Sequence, residues 1–314
     1  MSEWEIVKVM RVCICGSRSI TDQDSVFHYL NHLTADLDLT RVTIISGGAS
    51  GVDRLAEKWA SNKGIPIKRF LPDWYRYGKR AGLIRNHKMV EASDLIIALW
   101  DGVSRGTAHT IITAHKFNKL VRMKIIRTEY FSIWFMLGKS DAICVTTNGF
   151  VVRDKKTRKP RGVMGRGVAY QAKVWLPDIE YRLGKHLIHN GNCPGILGKV
   201  QETAIVSFPV KRAEDQYPCE LVSHARNRFL PGDLVPGYLL KADLDTILKS
   251  ANGLAELIKE YKWNRIVLPK PGCGAGELKW GDVAKIIKKS NLAKYADRIW
   301  ITDLNGYECI GHEL

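Results

Sequence analysis

The sequence predicts an α/β protein built from two successive domains. Three observations carry this. Short apolar runs alternate with amphipathic helical patterns through the first part of the chain; the runs end in glycine-bearing turns; and the alternation breaks at residues 128–139 and then starts again. A length of 314 residues fits two ordinary domains, and a hydrophobic content of 45% is enough to build their cores.

The elements follow in order. Val9 to Cys15 reads as a strand ending in Gly16-Ser17-Arg18. Val42 to Ile45 is a second, ending in Ser46-Gly47-Gly48. The helix after it places Val52, Leu55, Ala56 and Trp59 on one side. Ile65 to Phe70 is a third strand, Asp94 to Trp100 (DLIIALW) a buried fourth, and Met123 to Arg127 another. Such βα alternation predicts a mostly parallel sheet covered by helices, with ligands outside the carboxyl ends of its strands. The stretch TEYFSIWFMLGK at 128–139 is aromatic and apolar, unlike a linker, and the domain boundary is placed there: 1–130, then 139–314.

The second domain starts a new sheet at Asp141 to Thr147. Ala204 to Phe208 is a strand. Leu244 to Tyr261 is a long amphipathic helix with Asp243 as its cap. Arg265 to Pro269, a helix near 281–289 and a strand from Arg298 to Thr302 complete it. In GVMGRGVAYQAK, residues 162–173, a glycine-rich turn opens a helix with Val168, Ala172, Trp175 and Leu176 near one face. Free N–H groups at such a start suit phosphate, and the same pattern also serves as a plain surface turn.

Composition narrows the classes. The longest apolar run, FSIWFMLG, is too short to span a bilayer, and the acidic start MSEWEIVK lacks the order of a secretion signal; the expectation is a cytoplasmic protein. Seven scattered cysteines (13, 15, 144, 193, 219, 273, 309) predict free thiols and no structural zinc. The formal net charge of +16 favours an anionic partner. RDKKTRKPR at 153–161 holds six basic residues and one acidic, as a solvated loop or a binding arm.

In the first domain SGGASGVD (46–53) follows a strand and opens a helix, without the Gly-Lys-Ser/Thr of a P-loop. LIRNHKM (83–89) supplies Arg85 as a fork for an anion, and DGVSRGTAHT (101–110) supplies Thr107 as a helix cap and phosphate donor. CGSRSITD, SGGASGVDRLAEKWA, IRNHKMVEASDLIIALW and SRGTAHTIITAHK resemble the SLOG superfamily over about residues 7–128. The resemblance implies a Rossmann-like fold that binds nucleotides or NAD-derived phosphates, with Gly16, Ser17, Arg18, Gly47, Gly48, Asp53, Arg85, Asn86, Gly106 and Thr107 at the site. In its phosphoribohydrolase branch a glutamate follows the Gly-Thr pair. Here Gly106-Thr107 is followed by Ala108-His109-Thr110, so His109 stands as a base or as a hydrogen-bonded helix histidine. Asp53 and Glu57 are the carboxylates at hand, as site groups or as ordinary first-turn residues.

In the second domain three pieces meet if their strand ends share an edge: TTNGF (146–150), GVMGRGVAYQAK and KPGCGAGELKW (270–280). They resemble a macrodomain, the α/β/α fold that binds ADP-ribose, over about residues 140–312. The nearest pattern is the branch that removes ADP-ribose from glutamate or from DNA bases. The resemblance implies ADP-ribose as ligand or product, with no cofactor and no metal required. It places binding at Asn148, Gly149, Gly165, Arg166, Gly167, Val168, Gly272, Cys273, Gly274, Ala275 and Gly276. Lys211, in SFPVKR, falls on the lysine that attacks the distal ribose. Members that act on glutamate carry an aspartate where this chain has Gly276; Glu277 next to it either stands in for that role or points to solvent. Trp280 and Tyr170 are ring-stacking or core residues, and Cys273 is a small packing residue rather than a nucleophile.

Three functions stay open on the sequence. One is a hydrolase acting on ADP-ribosylated protein or DNA. The second is a sensor or sequestering module for NAD-derived nucleotides. The third is a nucleic-acid binder driven by charge, with phosphoribohydrolase activity in the first domain as a further variant. The oligomeric state is not legible.

Overall fold

The computed structural model describes residues 9–128, 132–303 and 306–309. The chain divides into two units, Met1–Ser132 and Ile133–Leu314.

The first unit is a five-stranded sheet in the order β3-β2-β1-β4-β5, every neighbouring pair parallel. Its strands are β1 (Met10–Gly16), β2 (Val42–Ser46), β3 (Ile67–Arg69), β4 (Leu95–Trp100) and β5 (Leu120–Ile125). Helices α1 (Gln23–Leu33), α2 (Val52–Asn62), the short α3 (Trp74–Tyr77), α4 (Ala81–Glu91) and α5 (Arg105–Lys116) lie between them. All six residues of β4 are buried, because helices cover both faces of a central parallel strand. Val12, Ile14, Ile44, Ile97 and Leu99 form one core with Val26, Leu30, Ala56 and Trp59. Two expectations shift. The third strand is shorter than residues 65–70, and β5 starts at Leu120 instead of Met123, a half-exposed edge whose basic residues blur the apolar pattern. The chain steps outward from β1 through β2 to β3 and then returns to β4 on the other side of β1. The switch point of the sheet therefore lies between the ends of β1 and β4.

The second unit holds a six-stranded mixed sheet, order β15-β14-β13-β6-β10-β9. Its elements are β6 (Ala142–Asn148), the hairpin β7 (Val151–Arg153) and β8 (Pro160–Gly162), α6 (Gly167–Trp175), α7 (Ile179–Asn190), β9 (Gly195–Val200) and β10 (Thr203–Lys211). Then come the small hairpin β11 (Glu214–Gln216) and β12 (Leu234–Pro236), α8 (Leu244–Tyr261), β13 (Ile266–Pro269), α9 (Trp280–Lys289), β14 (Ile299–Asp303) and β15 (Gly306–Cys309). Strands β6, β10, β13 and β14 run parallel, while β9 and β15 are antiparallel edges. All nine residues of β10 are buried. Alternate residues of β6, β10 and β13 (Ala142, Cys144, Val206, Phe208, Leu268) pack on Ile247, Ala251, Leu254 and Ile258 of α8. Asp243 caps α8, accepting from the Thr246 N–H at 2.9 Å.

Of the apolar stretch before this sheet, residues 133–139 belong to the second unit. Ile133–Met136 make a 3-10 turn with Ile133 and Trp134 buried, and Trp134 Nε1 donates to Gln171 Oε1 at 3.0 Å. The unit thus starts at Ile133, ahead of the expected residue 139. The basic run 153–161 spans the tip of the β7–β8 hairpin; residues 155–159 are exposed, Asp154 Oδ1 accepts from the N–H groups of Lys156 and Thr157, and Arg161 in β8 pairs with Glu180 at 3.3 Å. Cys13, Cys15, Cys144, Cys193, Cys219 and Cys273 are free thiols; the side chain of Cys309, and the N-terminal run MSEWEIVK, lie outside the described residues. No described helix is long and apolar enough to cross a membrane. No group of three His, Cys, Asp or Glu among the described residues is placed to hold a metal.

Candidate functional site

In the first unit a cavity of about 370 Å³ opens at the switch point. Its walls bring together Gly16, Arg18, Asp53, Arg85, Asn86, Gly106 and Thr107 from four separate stretches of chain. Asp53 lies at the start of α2. Its carboxylate accepts from the N–H groups of Gly16 (3.3 Å) and Ala49 (3.4 Å) and sits 3.9 Å from Arg85 Nη1. Burial pushes its carboxyl up to about 6, against the pull of Arg85. Arg85 donates from Nη1 to the Gly47 carbonyl, while its buried Nε has no partner. Gly47 is a glycine for close approach, because a Cβ there would fall on the Arg85 guanidinium.

Several expectations are corrected by the geometry. Ser17, Gly47 and Gly48 do not line the cavity but support it: Ser17 Oγ accepts from the Asp101 N–H at 3.1 Å, and the Gly48 N–H donates to Ser46 Oγ. The cap of α5 is Ser104, and Thr107 lies one turn inside the helix. His109 is not among the residues that line the cavity, and its buried Nδ1 has no hydrogen-bond partner. Glu57 is tied to Arg69 at 2.8 Å, away from the cavity. Asp101, directly after the most apolar strand, carries no signal of its own in the sequence. Its Oδ1 accepts from Val103 and Ser104 N–H and its Oδ2 from Ser19 Oγ, which holds the β4–α5 turn in shape.

In the second unit the site gathers where parallel strands end. Asn148 closes β6 and Lys211 closes β10, and the two are register partners across a bulge. Asn148 is buried; its Nδ2 donates to the Val163 carbonyl at 2.9 Å and its Oδ1 accepts from the Phe150 N–H, which ties the turn before the hairpin to the first glycine loop. That loop leads into α6 through Arg166 at the N-cap, where no side chain satisfies the helix. Val168 lies in its first turn, half-buried. Gly165 and Gly167 face open space; a Cβ on either would meet nothing within 4 Å.

The second loop has two kinds of glycine. Gly274 is open, whereas Gly272 and Gly276 pack against each other and Ala242. A Cβ at Gly276 would stand 2.4 Å from the Gly272 carbonyl oxygen, so no aspartate fits there without reshaping the loop. Gly149 is likewise a packing glycine, against Asn192 and Ala213. Cys273 packs on the core with Trp280, and Lys270 lies over the Trp280 ring.

Lys211 is 7% exposed and donates to the Ala275 carbonyl at 3.1 Å, from β10 to the second loop. Burial lowers its ammonium to about 8; Glu277 opposes the shift and Arg166 adds to it. The cationic neighbour is thus Arg166 of the first loop, while Arg212 pairs with Asp215 at 2.7 Å. Glu277 is not the free carboxylate expected. Both of its oxygens are taken by Ser223, from the N–H at 2.9 Å and the hydroxyl at 2.8 Å, and these bonds hold it below its ordinary value. A carboxylate so held is a poor proton acceptor and a good anchor. Ser223 and His224, from the polar stretch after β10, had no signal in the sequence.

Residues 10–77 match the YspA, cpYpsA-related SLOG family. A stretch of 116 residues, 34% of this chain, is 37% identical to the Gene 61 protein of Mycobacterium phage D29 and covers 89% of it. The chain is similar to the macrodomain of Mycobacterium tuberculosis DarG at 19% identity, over 52% of this chain and 88% of that one, with a TM-score of 0.35. It is similar to Thermosipho africanus DarTG in complex with ADP-ribose at 15% identity, over 63% of this chain and 51% of that one, with a TM-score of 0.38. The chain belongs to the family of the phage Gene 61 protein, and its first unit carries a SLOG segment over residues 10–77.

Proposed function

We propose that the second unit binds ADP-ribose across the ends of β6 and β10 and releases it from an ADP-ribosylated acceptor, with Lys211 as the nucleophile. The observation that carries this reading is Lys211 itself: a buried lysine with its ammonium lowered to about 8, opposite Asn148 and bonded to a glycine loop. At neutral pH such a lysine holds roughly 300 times more free amine than one at its ordinary value near 10.5. The uncapped start of α6 and the open glycines 165, 167 and 274 suit the two phosphates.

The chemistry balances without a cofactor. The Lys211 nitrogen bonds to the anomeric carbon of the distal ribose as the bond from that carbon to the acceptor breaks. A proton leaves nitrogen for the departing acceptor atom. Ring opening moves a second proton to the ring oxygen and gives an imine. Water adds to the imine carbon, the C–N bond breaks, and ADP-ribose and the free amine are restored.

The test is incubation with an ADP-ribosylated glutamate peptide and with ADP-ribosylated single-stranded DNA. The wild type releases ADP-ribose from one of them and Lys211→Ala does not. Binding without release from either leaves a module that holds ADP-ribose and removes the catalytic part. For the first unit, the cavity with its buried Arg85 Nε supports a phosphate-bearing nucleotide as ligand. Thermal stabilisation of that unit by nucleoside monophosphates, lost in Arg85→Ala, tests it.

A further inference from the structure

Residues 212–243 leave the sheet directly after Lys211 and return to it at α8. They carry a hydrophobic cluster of their own: Leu221, Val222, Ala225, Val235 and Leu240. The turn Ser223–Ala225 touches both glycine loops of the site. Ser223 holds Glu277 of the second loop by two hydrogen bonds, and His224 Nδ1 lies 3.4 Å from Arg166 Nη1 of the first. Both loops are thereby fixed to one short turn.

Building on the ADP-ribose reading, we propose that His224 is a positioning residue: through Nδ1 it accepts from Arg166 and, with Ser223, sets the spacing of the two loops that receive the diphosphate. An arginine only donates, so the contacted nitrogen must be the acceptor and the ring neutral with its proton on Nε2. A protonated ring would turn a donor on the guanidinium and release the contact.

The surroundings keep the ring neutral. Partial desolvation, Arg166, Arg228 and Lys211 lower its affinity for a proton, and Glu277 alone raises it. Glu277 stays ionised over the same range, since Ser223 holds it low, and Lys211 titrates well above it. The tether is therefore intact at neutral pH and is lost as pH falls below the histidine range.

The test has a ligand-free arm and a ligand arm on the full chain. In the free protein the His224 ring, followed by NMR, titrates below an ordinary histidine, and Arg166→Gln moves it back up. With ADP-ribose, calorimetry at pH 7.5 and at one pH unit below the midpoint found for the ring shows wild-type affinity about fivefold weaker at the lower pH, the worth of one hydrogen bond. His224→Gln keeps an acceptor that does not titrate and binds at both pH values as the wild type does at 7.5. His224→Ala is weak at both. An unshifted ring, a pH-independent wild type, or a pH fall that survives in His224→Gln overturns the role of His224. A shifted ring in a protein that binds no ADP-ribose at either pH overturns the role too, and places the failure in the reading of the site rather than in the tether.

Discussion

The lowered ammonium of Lys211 has a kinetic consequence. At a value of about 8 the free-amine fraction is about one tenth at pH 7 and about one hundredth at pH 6. If the amine is the nucleophile, single-turnover release rises about tenfold per pH unit below 8 and levels above it. Cyanoborohydride added during turnover reduces the imine to a secondary amine, leaving ADP-ribose covalently on the peptide that contains Lys211. Lys211→Arg, which keeps the charge but has no accessible free base, forms no adduct. The shift also acts on stability, with the sign fixed by its direction. A lysine lowered in the fold is costly as a cation, so the cost is full below pH 8 and fades as pH rises toward 10.5. Lys211→Met therefore leaves the second unit at least as stable at pH 7. A flat rate between pH 6 and 9, a break near 10.5, or an adduct on another residue would refute the reasoning.

Two further outcomes concern the scaffold. Gly276→Ala forces a Cβ to 2.4 Å from the Gly272 carbonyl oxygen and 2.6 Å from Ala242 Cβ. Overpacking of this kind costs about 1–3 kcal/mol, and the second unit melts roughly 3–10 °C lower in calorimetry. In the first unit Asp53 is raised to about 6, so the fold favours its protonated form and loses stability as pH climbs from about 4 to 6. Denaturant melts at pH 4, 5 and 6 show that slope, and Asp53→Asn flattens it.

Much of the fold was legible because central parallel strands are apolar throughout. DLIIALW became β4 with all six residues buried, and the long helix after Asp243 was found with its cap. Weaker periodicity hid other elements. The strand β9, GILGKV, has two glycines in six residues and sits at an edge. Helix α7 buries Ile179, Leu183 and Leu187, yet Gly184 stands inside it, because a Cβ there would strike the β8 backbone at 2.5 Å. At the site, Asn148 and the glycine loops were legible as strand-end chemistry, whereas Lys211 came only through the resemblance to macrodomains, because the strand expected from the apolar pattern ends at Phe208 and β10 runs on to Lys211. The partners of these groups were not legible. Arg212, just past the end of β10, pairs with Asp215, and no local pattern says that Arg166, 45 residues earlier, is the cation beside Lys211. The same holds for Glu277, whose partner Ser223 lies 54 residues away in a polar segment without periodicity. Gly276 read as a departure from the macrodomain pattern until the contact with Gly272 showed that no side chain fits there.

The central claim is that the open glycines and Lys211 surround one diphosphate-bearing ligand. Gly165 tests it most directly, since a Cβ there meets no protein atom within 4 Å. Calorimetric titration of ADP-ribose into the wild type and into Gly165→Glu, with melting curves of both, is the measurement. The account predicts heat of binding in the wild type that the variant loses at an unchanged melting temperature. Equal binding in both proteins, or no heat in the wild type, would contradict it.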